Sequence, residues 1–246
     1  MTDLSPIRDR LDALGDAGRQ IALWWRDDDA VAPTRQLEAL LACANQFSVP
    51  LALAVIPAHA ERALAAALAN HDTVSVQQHG YSHANHAPTG SKKAELGPHR
   101  PVDDMLAELF DGYRRMSELF GPRFAHVLTP PWNRIAPELS ARRKDVGLVG
   151  LSTFGPAPEG ARAQVNTHLD PIEWRRGKRF SGDEACLASL IRELDRRLSG
   201  SDEPIGLLTH HLVQTEETWA FIEAFLGLMT DHPAVVWPSH DELFEL

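Results

Sequence analysis

A chain of 246 residues, 43% hydrophobic and with a formal net charge of -10, has apolar content for a sizeable core. Its negative charge excludes an electrostatic affinity for nucleic acid or an anionic membrane surface. Its only two cysteines, Cys43 and Cys186, sit in apolar helix patterns, which excludes a disulfide framework and a cysteine-rich metal site.

In chain order, the first twenty residues are polar and charged without an apolar signal core, and no stretch reaches the roughly 18 apolar residues of a membrane span. The expectation is a cytoplasmic protein. Short apolar runs suited to strands follow at residues 21–26, 50–56, 73–78, 124–129, 146–153, 163–168, 204–209 and 234–237. Helical patterns lie between them at 34–46, 58–69, 102–120, 137–146, 183–198 and 216–231. Helix starts are marked by Pro33-Thr34, Pro101-Val102-Asp103 and Ser181-Gly182-Asp183. Runs such as Leu51-Ala52-Leu53-Ala54-Val55-Ile56 are apolar on both faces, as parallel strands covered by helices require. The fold class expected is α/β, a single distorted (β/α) barrel of seven to eight parallel strands formed by residues 1–246 as one domain, with a doubly wound open sheet as the alternative. The longest loop, residues 84–101, is rich in Gly, Pro, His and Lys and is placed to shape a substrate cleft.

Two clusters close consecutive odd-numbered strand patterns: Trp25-Arg26-Asp27-Asp28-Asp29 and His79-Gly80-Tyr81-Ser82-His83. Parallel α/β folds collect their chemistry at such carboxyl ends. Alone, the acidic triplet reads as a solvated turn and cap before Pro33, and the histidine pair as a surface or core feature. Together, a carboxylate and two imidazoles make a metal site, and three protein ligands leave a position for water, as in catalytic rather than structural zinc sites.

With three further pieces, these clusters resemble the polysaccharide deacetylases, the family 4 carbohydrate esterases, over most of the chain. Arg26-Asp27-Asp28-Asp29-Ala30 looks like the family's Asp-Asp motif, and His79-Gly80-Tyr81-Ser82-His83 is similar to its His-Ser/Thr-x-x-His motif. Thr129-Pro130-Pro131-Trp132-Asn133 looks like its proline-aromatic loop, Asp170-Pro171-Ile172-Glu173-Trp174 like its Asp and acidic-Trp segment, and Leu208-Thr209-His210 like its late Leu-x-His. Departures are Thr129 in place of the arginine that often orients the base, with Arg26 or Arg134 as substitutes, Glu173 in place of Asp, and a first motif without its Thr-Phe lead and Gly close.

The resemblance implies Asp28 as general base, His210 as general acid, and Asp29, His79 and His83 as ligands of one divalent metal. Zinc is expected first, while cobalt, iron and manganese accept the same donors. Asp27 is left as a spare residue. Tyr81, Pro131, Trp132, Asn133, Asp170 and Trp174 are the expected substrate contacts, with Trp132 and Trp174 offering flat faces to a sugar ring and Asp170 tuning His210. A backbone N–H near Tyr81 or Trp132 is a candidate oxyanion donor. His211 points away from His210 if the strand continues. His86 is either a fourth ligand or an exposed loop residue, and Asn166 and His168 are candidates for the barrel mouth.

The expected activity is metal-dependent hydrolysis of an N-acetyl or other non-peptide amide on an N-acetylated sugar or small glycoconjugate, with no nucleic acid or membrane partner. The alternatives are a different linear or cyclic amide, or a barrel that binds ligand without turnover.

Overall fold

A computed structural model describes residues 4–161 and 163–244. The centre is a seven-stranded sheet in the order β5-β4-β3-β2-β1-β8, with β9 joined to the start of β1, and all of its pairings are parallel. The strands are β1 (Ile21–Ala30), β2 (Leu51–Val55), β3 (Val74–His79), β4 (Phe124–Thr129), β5 (Gly150–Leu151), β8 (Ile205–Thr209) and β9 (Val235–Val236). A small antiparallel hairpin pairs β6 (Ile172–Glu173) with β7 (Arg179–Phe180). Every residue of β2 and β8 is buried, as a parallel sheet covered on both faces demands.

Residues 163–169 close the ring between β5 and β8. On one side, Leu151 N–H donates to the Ala163 carbonyl at 2.9 Å, Val165 N–H donates to the Leu151 carbonyl at 3.0 Å, and Thr167 N–H donates to the Thr153 carbonyl at 3.1 Å. On the other, His168 and Leu169 N–H both donate to the Gly206 carbonyl, and Leu208 N–H returns a bond to Leu169 at 2.7 Å. The result is the distorted barrel expected from the sequence. Its closing stave runs as isolated bridges rather than a full ladder, and its backbone lies so close to Gly206 that a Cβ there would meet the Asn166 carbonyl oxygen and Thr167 Cα at 2.7 Å. The strand expected over residues 146–153 is reduced to Gly150–Leu151, and its first residue, Val146, instead ends a short 3-10 turn at Arg143–Val146.

The helices are α1 (Ser5–Asp16), α2 (Arg35–Phe47), α3 (Arg62–Ala67), α4 (Val102–Phe120), α5 (Pro137–Arg142), α6 (Asp183–Leu198), α7 (Glu216–Thr230) and α8 (His240–Phe244). Thr34 caps α2 by accepting from Leu37 N–H at 3.0 Å, and Thr215 with Thr218 forms a capping box at α7. No helix among the described residues is long and apolar enough to cross a membrane. Cys43 and Cys186 are buried free thiols, both pushed up to about 11 by burial.

β1 sets the site. It runs four residues past the expected end at Arg26, so the acidic run belongs to the strand rather than to a turn. Alternation sends Trp25 and Asp27 to one face, Arg26 and Asp28 to the other. Asp29 would then return to the first face. Instead the register with β2 slips by one residue between Asp27↔Leu53 and Ala30↔Val55, and Asp29 takes a left-handed φ of 74°. This bulge turns Asp29 back, so that two adjacent carboxylates serve one cleft.

Candidate active site and metal centre

The metal candidate is Asp29, His79 and His83, whose ligand atoms lie within 4.8 Å of one another. His79 ends β3 beside β4, and its Nδ1 donates to the Thr129 carbonyl at 2.9 Å, which leaves the lone pair on Nε2. That Nε2 is 3.2 Å from Asp29 Oδ1, and His83 Nε2 is 3.4 Å from the same oxygen. Asp29 Oδ1 is buried without a hydrogen-bond donor among the described residues. Electron pairs converging in this way call for a cation between them. A proton would serve one imidazole only, whereas a divalent ion serves all three groups, so the donor set fits a metal. Burial opposes ionisation of Asp29, but His79, His210 and His83 outweigh it and hold the carboxyl well below the usual carboxylate range. Burial likewise works against a charged His79, and Asp28 and Asp29 outweigh it.

The turn carrying His83 is held by Glu95, a fully buried carboxylate in the long loop. It accepts from Tyr81 N–H at 3.1 Å, from Ser82 N–H at 2.7 Å and from the Ser82 hydroxyl at 3.0 Å. Gly80 and His83 both have left-handed φ of 58°. A Cβ at Gly80 would strike Glu95 Oε2 at 2.0 Å and Pro131 Cδ at 2.6 Å, so only glycine lets the turn, the glutamate and the proline loop meet.

Asp28 is held by Arg26, whose Nε and guanidinium nitrogen reach its two oxygens at 2.8 and 3.0 Å. Arg26 is braced in turn by Ser152 Oγ at 2.7 Å and by Asn133 Oδ1 at 2.8 Å. Of the two arginines expected as substitutes, Arg26 is therefore the one that grips Asp28, while Arg134 donates to the Lys93 carbonyl. His210 lies beyond β8 with Nε2 4.0 Å from Asp28 Oδ2.

Asp27, read as spare, is fully buried and clamps the following turn. It accepts from Thr209 Oγ1 at 2.6 Å and from His211 N–H at 2.9 Å, and it also grips His211 Nδ1. His211 therefore faces away from the cleft, and His210 faces into it.

These groups open into a cleft of about 870 Å³ whose lining includes Asp28, Asp29, His79, His83, Asp170 and His210. Trp132 packs on His83 with ring centres 4.4 Å apart, and Trp174 meets His210 edge-on at 4.5 Å. Trp132, Asn133, Asp170 and Trp174 line this cleft as expected for contacts, while Tyr81 and Pro131 do not. Tyr81 N–H is already committed to Glu95, which corrects its candidacy as an oxyanion donor. Asp170 accepts from Trp174 Nε1 at 2.7 Å and from Ile172 N–H at 2.9 Å rather than from His210, whose buried Nδ1 has no partner among the described residues. Burial raises the Asp170 carboxyl above its ordinary range against the pull of His210. His86 is exposed and outside the metal cluster. His168 pairs with Glu203 at 3.2 Å, and Asn166 is buried with its amide bonded to Thr153 and Gly155, so neither lies at the mouth.

Glu95 and the clamp role of Asp27 went unread in the sequence. A lone acid between Ala94 and Leu96 in a polar loop is a faint signal for the first. For the second there is none beyond its place in the triplet.

The fold is that of the polysaccharide deacetylases and family 4 carbohydrate esterases. A candidate polysaccharide deacetylase from Mycobacterium smegmatis is similar with a TM-score of 0.68 at 16% identity, over 93% of this chain and 90% of that one. A peptidoglycan deacetylase from Bacillus subtilis gives 0.57 at 14%, over 92% and 91%. A family 4 acetyl xylan esterase from Clostridium thermocellum, in complex with a cobalt ion, gives 0.54 at 15%, over 91% and 90%. No family model matches the chain, and no curated protein matches it.

Proposed function

We propose that this protein is a metal-dependent hydrolase that removes an acetyl group from nitrogen, on an N-acetylated sugar or small glycoconjugate. The observation that carries this reading is the convergence of Asp29, His79 and His83 beside an aspartate gripped by an arginine, with His210 across from it. A metal triad alone would serve ligand binding. The Arg26–Asp28 pair serves no metal and is what a positioned base needs.

Asp29, His79 and His83 would hold the ion, zinc in the first instance. When bound, such an ion lowers the pKa of water toward about 7 and polarises an amide carbonyl. Arg26 fixes the Asp28 carboxylate so that one oxygen accepts a proton from the attacking water. His210 then delivers a proton to the departing amine nitrogen, which leaves as a neutral amine while the acyl carbon leaves as acetate. Trp132 and Trp174 flank the cleft with faces suited to a sugar ring. A cleft of about 870 Å³ is within the range that small-molecule sites occupy.

The test is elemental analysis of protein purified without chelator, followed by an acetate-release assay on N-acetylated sugars. The expected result is about one equivalent of divalent metal, lost in His79→Ala/His83→Ala, with acetate release that depends on it. A wild type that takes up no metal even after incubation with zinc would replace the enzyme reading with a binding one.

A further inference from the structure

The cleft contains three carboxylates and three long cationic side chains, and their states differ. Asp28 is held by Arg26, Asp29 by the two imidazoles, and Asp170 by Trp174 and Ile172. Lys93, Arg134 and Lys178 line the same cleft, and among the described residues none of them has a carboxylate within salt-bridge distance.

Their arrangement is paired with the two tryptophans. On the metal side, Lys93 Nζ stands 6.0 Å from the Trp132 ring centre, and Arg134 is tied to Lys93 by a 2.7 Å bond to its carbonyl. On the acid side, Lys178 Nζ stands 5.8 Å from the Trp174 ring centre. Lys178 sits in the β6–β7 turn with a left-handed φ of 56°. Two neighbouring cations of that hairpin, Arg176 and Arg179, are taken by Glu173 at 3.3 Å, and Lys178 lines the cleft instead. Cations lining one cleft mouth raise the local potential in favour of an entering anion.

We propose that the substrate carries an anionic group, a carboxylate or a phosphate, received by Lys93, Arg134 and Lys178 at the rim of the metal cleft. This rests on the amide-hydrolase reading and narrows it to acidic N-acyl compounds. The tryptophans take the apolar face of the substrate, and the cations take its charge.

The test compares N-acetylglucosamine, N-acetylmuramic acid and N-acetylglucosamine 6-phosphate on the zinc-loaded protein, by calorimetric binding and by acetate release. The expected result is a preference for an acidic compound on the order of tenfold, falling as salt is raised. In Lys93→Gln/Arg134→Gln/Lys178→Gln that preference should collapse to about twofold or less. The carboxylate and phosphate arms distinguish the two anions. Equal acetate release from neutral and acidic sugars would overturn the anionic subsite and keep the hydrolase. Selective binding of an acidic sugar without acetate release would keep the subsite and overturn the hydrolase. Neither binding nor release would overturn both, and a preference that survives the triple substitution would overturn these three residues as its source.

Discussion

Arg26 grips Asp28 through both carboxylate oxygens from two positions earlier on the same strand. Both side chains are essentially excluded from solvent, at 0% and 2% exposure. Removing one partner therefore strands a buried charge. Arg26→Met is expected to destabilise the fold by about 3–5 kcal/mol, read as a lowered urea midpoint. Arg26→Lys keeps the charge but loses the fork, and acetate release should fall on the order of tenfold or more with a smaller stability loss. Unaltered turnover in Arg26→Lys would remove the orienting role.

In the proposed mechanism Asp28 serves proton transfer, and it stands outside the cluster of Asp29, His79 and His83. Asp28→Asn should retain close to one equivalent of zinc while kcat falls about 10²–10⁴-fold. His79→Ala should lose both. Full activity in Asp28→Asn would sink the base assignment.

Glu95 shapes the turn that presents His83 without reaching the cleft. Glu95→Gln exchanges a charged acceptor of three bonds for a neutral one, and zinc affinity measured by chelator competition is expected to fall about 10–100-fold. Wild-type affinity in this variant would mean that the turn holds its shape unaided.

Away from the cleft, His240 stacks on Phe244 with ring centres 4.6 Å apart and lies 2.7 Å from the Gln77 amide. Burial lowers its pKa to about 4. A histidine that is harder to protonate folded than unfolded gives stability that is complete above its ordinary value of about 6.5 and is lost as pH falls toward 4. At pH 5 the loss is about 2 kcal/mol relative to pH 8. Urea midpoints at the two pH values should converge in His240→Gln compared with wild type. An equal drop in both proteins would assign the acid sensitivity elsewhere.

Residue types at strand ends were legible in the sequence, because apolar runs locate strands and parallel folds gather polar groups at one end. β4, at Phe124–Thr129, and α4, at Val102–Phe120, have the bounds that periodicity predicts. Helix α1 was not seen, since only Ile7, Leu11 and Leu14 of its twelve residues are buried, and a narrow apolar stripe is drowned by the charges around it. The bulge at Asp29 was equally invisible. It is a one-residue mismatch against β2, and nothing local to β1 records its partner's register. The same holds for Asp27, whose burial comes from Thr209 and His211 some 180 residues away. The donors of the candidate metal site could be named from sequence, but their convergence depends on long-range pairing.

The carbonyl of Thr129 receives both His79 Nδ1–H and Gly80 N–H, at 2.9 and 3.1 Å. Selection of the metal-ready tautomer is therefore written into the peptide chain of β4 and not into any side chain. The side chain at position 129 is engaged elsewhere, its hydroxyl donating to Gln77 Oε1 at 2.7 Å, so a change of side chain there leaves in place the carbonyl that holds the imidazole proton on the far nitrogen. What such a change cannot touch is the length of β4 up to that carbonyl.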